Sequence, residues 1–76
     1  SPLALPAFVP ASHEEVEGLL AALEATLVDI GFLDPRQPKR LMPRLRRFFA
    51  RAGLEKEEVA IWRGIAGAAR SRGRSG

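Results

Sequence analysis

The chain has 76 residues, enough for one small domain but short for a fold that closes a cofactor pocket around a substrate. It has no cysteine and a single histidine, His13, which excludes disulfides, thiolate catalysis and a thiolate zinc site. A hydrophobic content of 46% excludes disorder by composition, no apolar run approaches a membrane span, and the net charge of +3 is uneven enough along the chain to carry information.

Residues 1–11 form a proline-rich arm or linker, with Pro2, Pro6 and Pro10 and no charge. Proline at this density blocks a helix and favours an extended chain. Leu3, Leu5, Phe8 and Val9 are too apolar for a free linker, so the arm is expected to pack on a neighbouring surface. No basic start leads into an apolar stretch, so no signal peptide is read here.

The first helix is predicted over 12–30. Ser12 followed by Glu15 is a capping box, and Glu14 and Glu15 suit the positive end of the helix dipole. Val16, Leu20, Leu23, Leu27 and Ile30 recur at alternating spacings of four and three, one apolar stripe widened by Leu19. Gly31 is placed to end the helix in the left-handed region, and Phe32 and Leu33 can then fold back over its last turn. Up to residue 30 the only charges are Glu14, Glu15, Glu17, Glu24 and Asp29, a sum of −5. His13, beside the cap, is read as a surface residue of the first turn.

Asp34-Pro-Arg-Gln-Pro38 is a connector, and a second helix is predicted over 39–52, ended by Gly53. Pro43 is tolerated only near the first turn, so this helix is expected to start late or kink there. Between residues 31 and 54, Arg36, Lys39, Arg40, Arg44, Arg46, Arg47 and Arg51 face only Asp34, a sum of +6. At about 100° per residue, Arg40, Arg44, Arg47 and Arg51 fall on one face, beside a sector of Leu41, Leu45, Phe48, Phe49 and Ala52. Like charges four residues apart repel, so helix stability does not account for the row. Arginines spaced this way can reach successive phosphates and pair with them bidentately. The competing expectation is that the acids of the first helix neutralise them, or that the face is merely solvated.

The third helix is predicted over 55–70, with Val59, Trp62, Ile65, Ala66 and Ala69 inward and Ile61 at the edge. Glu58 falls within this apolar sector, and a buried carboxylate needs a partner, so a structural ion pair with an arginine of the second helix is expected. Ala60, Gly64, Gly67 and Ala68 form a small-residue strip; glycines inside a helix cost about 1 kcal/mol each, and close approach of the first helix or of a second copy would explain them. Residues 71–76 are apolar-free and read as a flexible basic tail. The expected fold is all-α: a three-helix bundle over 12–70 with an extended arm and a disordered tail. No phosphate-cradling glycine loop, nucleophile–base pair or metal-ligand spacing occurs, so no catalytic residue, metal or cofactor is assigned to this chain.

Gly31-Phe-Leu-Asp-Pro35, Pro38, Leu41-Met-Pro-Arg-Leu-Arg-Arg-Phe-Phe-Ala-Arg-Ala52 and Glu57-Glu-Val-Ala-Ile-Trp-Arg-Gly-Ile65, in that order, resemble the C-terminal extension of bacterial SpoU-class RNA 2′-O-methyltransferases of the TrmJ type. The resemblance covers about half the chain. Trp62 departs from it, standing where leucine is expected, which favours a packing role. The resemblance implies a cytoplasmic parent protein in which a knotted N-terminal domain binds S-adenosylmethionine, dimerises and methylates a tRNA ribose. It implies that the helical extension helps grip tRNA, and Arg36, Lys39, Arg40, Arg44, Arg47, Arg51 and Arg70 are the residues expected at the RNA. The alternative is a helical docking or homodimerisation module, built on the small-residue strip and the arm, without RNA contact.

Overall fold

In a computed structural model, which describes residues 8–74, three helices follow one another: α1 over His13–Asp29, α2 over Leu41–Ala52 and α3 over Lys56–Arg74. No named strand occurs among the described residues, and the all-α expectation holds. Leucines 3 and 5 of the arm lie outside the described residues.

Each boundary has a local cause. Ser12 Oγ accepts from the Glu15 amide at 3.0 Å and Glu15 Oε1 accepts from the Ser12 amide at 2.8 Å, so the capping box forms as read. At the other end of α1, Gly31 takes φ +84°, the Phe32 amide donates to Leu27 O at 2.9 Å and the Gly31 amide to Val28 O at 3.1 Å. That is a Schellman ending. It folds Leu33 back into the core, whereas Phe32 stays 70% exposed. Helix α2 starts two residues later than expected, with Arg40 as its N-cap. Pro43 thereby falls in the first turn, where its missing N–H costs nothing. Lys39 just before it adopts φ +53°, an unusual conformation for a side chain of this size, and Gly53 ends α2 at φ +66°.

The arm docks through its backbone and through Ala11, which packs against the core. The Ala11 amide donates to Leu54 O at 3.0 Å and the Lys56 amide to Val9 O at 2.8 Å, with an antiparallel bridge between Pro10 and Glu55. Phe8 and Val9 themselves remain exposed on this domain. These two hydrogen bonds, which together make the bridge, lay residues 9–11 along the connector between α2 and α3.

Leu19, Leu20, Phe49 and Val59 form the core, with Val16, Leu23, Met42, Leu45 and Leu54 packed around it. The buried face of α3 differs from the predicted one. Val59 and Ala66 are buried, Trp62 lies at the edge, and Ile61 and Ile65 are more than half exposed. The helix is turned towards α1 because small groups let the two backbones approach. Thr26, buried in α1, donates its hydroxyl to Ala22 O at 2.9 Å and across the seam to Ala66 O at 3.2 Å. Helix α3 also runs four residues beyond its predicted end, so 71–74 are helical rather than a disordered tail. Arg72 and Arg74 favour the helix there, and Gly73 passes so close to Ile30 that a Cβ would stand 2.7 Å from Ile30 Cγ2.

Gly64 is the opposite case, since a Cβ there would meet nothing within 4 Å. Gly64→Ala should therefore raise the unfolding free energy by about 0.5–1 kcal/mol, whereas Gly73→Ala should give no gain. Urea denaturation of the two variants checks both signs.

Candidate nucleic-acid interface

Helix α2 buries one strip and exposes the rest. Phe49 is its buried anchor, and Leu41, Met42 and Leu45 are partly covered. Arg40, Arg44, Arg47 and Arg51 are exposed, on the single face that the helical spacing predicts. No ion pair or hydrogen bond engages any of the four side chains among the described residues. Arg36 and Lys39 precede them in the connector, both exposed. Arg36 is held locally: Asp34 Oδ1 accepts from its amide at 2.9 Å and lies 3.6 Å from its Nε.

The acids of α1 are engaged elsewhere. Glu15 pairs with Lys56 at 2.5 Å, Asp29 with Arg70 at 2.5 Å, and Glu17 with Arg46. Arg46 is the one arginine of α2 drawn to α1, and it lies off the row. Internal neutralisation thus occurs, but it takes Arg46, Lys56 and Arg70 and leaves the row open. Arg70, expected at the RNA, belongs instead to the α1–α3 seam and is not brought to the α2 face.

Two further expectations change. Glu58 is exposed, and its Oε1 accepts from the Glu55 amide at 2.9 Å. It caps the start of α3 and makes no ion pair with α2. The capping role was legible from its position, three residues after Glu55 at a helix start, but the apolar sector was centred on Ile65 and misplaced it. The strip of Ala60, Gly64, Gly67 and Ala68 is exposed along its length, and a Cβ at either glycine would meet open space. Helix α1 therefore does not explain it. The residue that sequence reasoning missed on α1 is Gly18: Arg63 Nη1 would lie 2.9 Å from a Cβ there, so the glycine admits the arginine against the helix. No group of three metal-ligating acids or histidines occurs among the described residues. No helix of the described chain is long and apolar enough to cross a membrane.

The start of α2 adds to the positive field. It has no side-chain cap and no acid in its first turn, and Arg40 and Arg44 stand at the positive end of its dipole. Residues so placed are unfavourable to the helix alone and become favourable once an anion sits against them.

The match to known proteins follows this arrangement. Residues 14–76 match the family model described as the tRNA methyltransferase TrmJ C-terminal domain. The chain belongs to the TrmJ C-terminal domain family. The match extends well beyond Gly31–Ile65 and takes in most of α1 and all of α3. Among curated relatives, the tRNA (cytidine/uridine/adenosine-2′-O-)-methyltransferase TrmJ of Pseudomonas aeruginosa is 54% identical over 52 residues, which is 68% of this chain and 20% of that protein. The tRNA (cytidine/uridine-2′-O-)-methyltransferase TrmJ proteins of Klebsiella pneumoniae and Salmonella typhimurium are each 40% identical over 52 residues. The chain thus spans about a fifth of the length of these relatives. No solved structure matches it.

The seam pairs set a pH dependence. The hydrogen bond from Lys56 holds the Glu15 carboxyl below its ordinary range, and the bond from Arg46 does the same for Glu17. Glu55 is pushed up, first by burial and then by Glu58 and Glu57. Carboxyls that titrate lower in the folded chain contribute stability above their ordinary pKa of 4.5, and lose it as pH falls through the lowered folded values. Glu55 works with the opposite sign, so the test is read on the Glu15 and Glu17 pairs. The melting temperature should therefore fall between neutral pH and about pH 3, and Glu15→Gln with Glu17→Gln should flatten that fall. Thermal melts across this range, followed by circular dichroism, check it.

Proposed function

We propose that this chain is the tRNA-gripping helical domain of a ribose 2′-O-methyltransferase, and that it binds RNA through the arginines of α2. The reaction and its S-adenosylmethionine belong, in this reading, to a separate N-terminal methyltransferase domain of a cytoplasmic protein. The observation that carries the reading is that Arg40, Arg44, Arg47 and Arg51 share one exposed face without a partner among the described residues, although five acids lie on α1. The activity for which the relatives are named, tRNA 2′-O-methylation, gives the anion its chemistry.

The mechanism is electrostatic positioning. Each guanidinium offers a planar fork of donors that fits two phosphate oxygens. Arg44, Arg47 and Arg51 within the helix of 12 residues, with Arg40 at its N-cap, follow a phosphate backbone over three turns. Arg36 and Lys39 extend the same positive surface into the connector. Such contacts fix where a tRNA lies and leave the choice of nucleotide to the catalytic domain.

A second reading, docking to the methyltransferase domain or to another copy, is favoured by one observation: Ile61 and Ile65 are 57% and 53% exposed beside the open strip of Ala60, Gly64 and Ala68. Sedimentation of the chain without RNA separates the readings, since self-association that needs Ile61 and Ile65 supports the second.

If about four phosphates are neutralised, the logarithm of the association constant should fall with log salt at a slope of about −3. Arg44→Glu with Arg47→Glu should lower tRNA affinity at least about tenfold and make that slope shallower by about 2, with helicity unchanged. Anisotropy titrations at two salt concentrations, with circular dichroism beside them, check the result. Unchanged binding by this double variant removes the reading.

A further inference from the structure

Phe48 borders the arginine row. It follows Arg44 by four residues and precedes Arg51 by three, so all three side chains share one stretch of helix surface. Phe48 is 50% exposed while its neighbour Phe49 is 3% exposed. The Phe48 ring rests against Phe49 with centroids 5.5 Å apart, and Phe49 meets the edge of Trp62 at 5.9 Å. Phe48, Phe49, Ala52, Ile61 and Trp62 line a groove of about 260 Å³ between α2 and α3. Its one acid, Glu58, is already committed to the Glu55 amide.

We propose that this groove receives an unpaired RNA base, stacked on Phe48, while Arg44 and Arg51 hold the phosphates on either side of it. The inference rests on the RNA-binding reading above and deepens it, from a surface that follows any phosphate backbone to one that selects unstacked nucleotides. An aromatic ring half open to water, backed by a buried ring and flanked by cations, is the combination that single-stranded nucleic acids use. A duplex keeps its bases within its own stack and offers the arginines phosphates alone. A protein surface seated here would set the unpaired arginines of α2 against its rim and would need acids of its own to meet them. The polyanionic backbone meets them wherever the base stacks.

The test compares the chain with its Phe48→Leu variant, each titrated with an unpaired RNA oligonucleotide and with a duplex of equal phosphate number. Leucine keeps an apolar group over Phe49 and removes the stacking face. The expected result is about a tenfold loss of affinity for the unpaired RNA, with duplex affinity and both salt slopes unchanged. A second measurement needs no variant: Trp62, the single tryptophan, should be quenched by the unpaired RNA and not by the duplex. If Phe48→Leu and the parent chain bind unpaired RNA equally while Arg44→Glu with Arg47→Glu loses both RNAs, stacking is overturned and the phosphate reading stands. If neither change affects binding, both are overturned. Self-association that Phe48→Leu abolishes would place a second copy over the ring and would also overturn the proposal.

Discussion

Three ion pairs, Glu15–Lys56, Glu17–Arg46 and Asp29–Arg70, decide how charge is shared in this domain. Each is solvent-exposed and contributes little to stability, so their main consequence is allocation. They join α1 to the start of α3, to α2 and to the end of α3, and in doing so they occupy three of the acids of the first helix. Arg46, turned towards α1, has a partner; Arg40, Arg44, Arg47 and Arg51, turned away, have none among the described residues. Two faces of one short helix thus have different electrostatic fates, and the outer one remains positive.

The outer face is costly to the helix that carries it. Like charges three and four residues apart repel, and cations at an uncapped N-terminus oppose the helix dipole. Helix α2 offsets this with one deep anchor, Phe49, which meets Leu19, Leu20 and Val59 in the core and Trp62 at its edge. An anion bound along the row would relieve both the repulsion and the dipole conflict. On the proposed reading, RNA therefore stabilises the domain that grips it, by the ordinary linkage between binding and folding.

Much of this was legible in the sequence. The capping box at Ser12 and Glu15, the glycine endings at Gly31 and Gly53, and the arginine face of α2 follow from short-range rules, and each appears in the structure. What was not legible depends on how two helices meet. The apolar pattern of α3 pointed to Ile65, but a close seam needs small residues, so Ala66 with Thr26 opposite won the interior and Ile61 and Ile65 were left outside. The same rotation placed Glu58 in water and turned Arg63 and Arg70 towards α1. The basic segment after residue 70 read as a tail because composition does not show that Ile30 lies against Gly73.

The most direct measurement follows the arginine side chains themselves. In a nitrogen-15 NMR titration of the chain with a short RNA, the Nε–H signals of Arg40, Arg44, Arg47 and Arg51 should shift together and saturate at one affinity, while those of Arg46 and Arg70 stay in place. Shifts confined to Arg46 and Arg70, or none on α2 at RNA concentrations that saturate binding, would contradict the account.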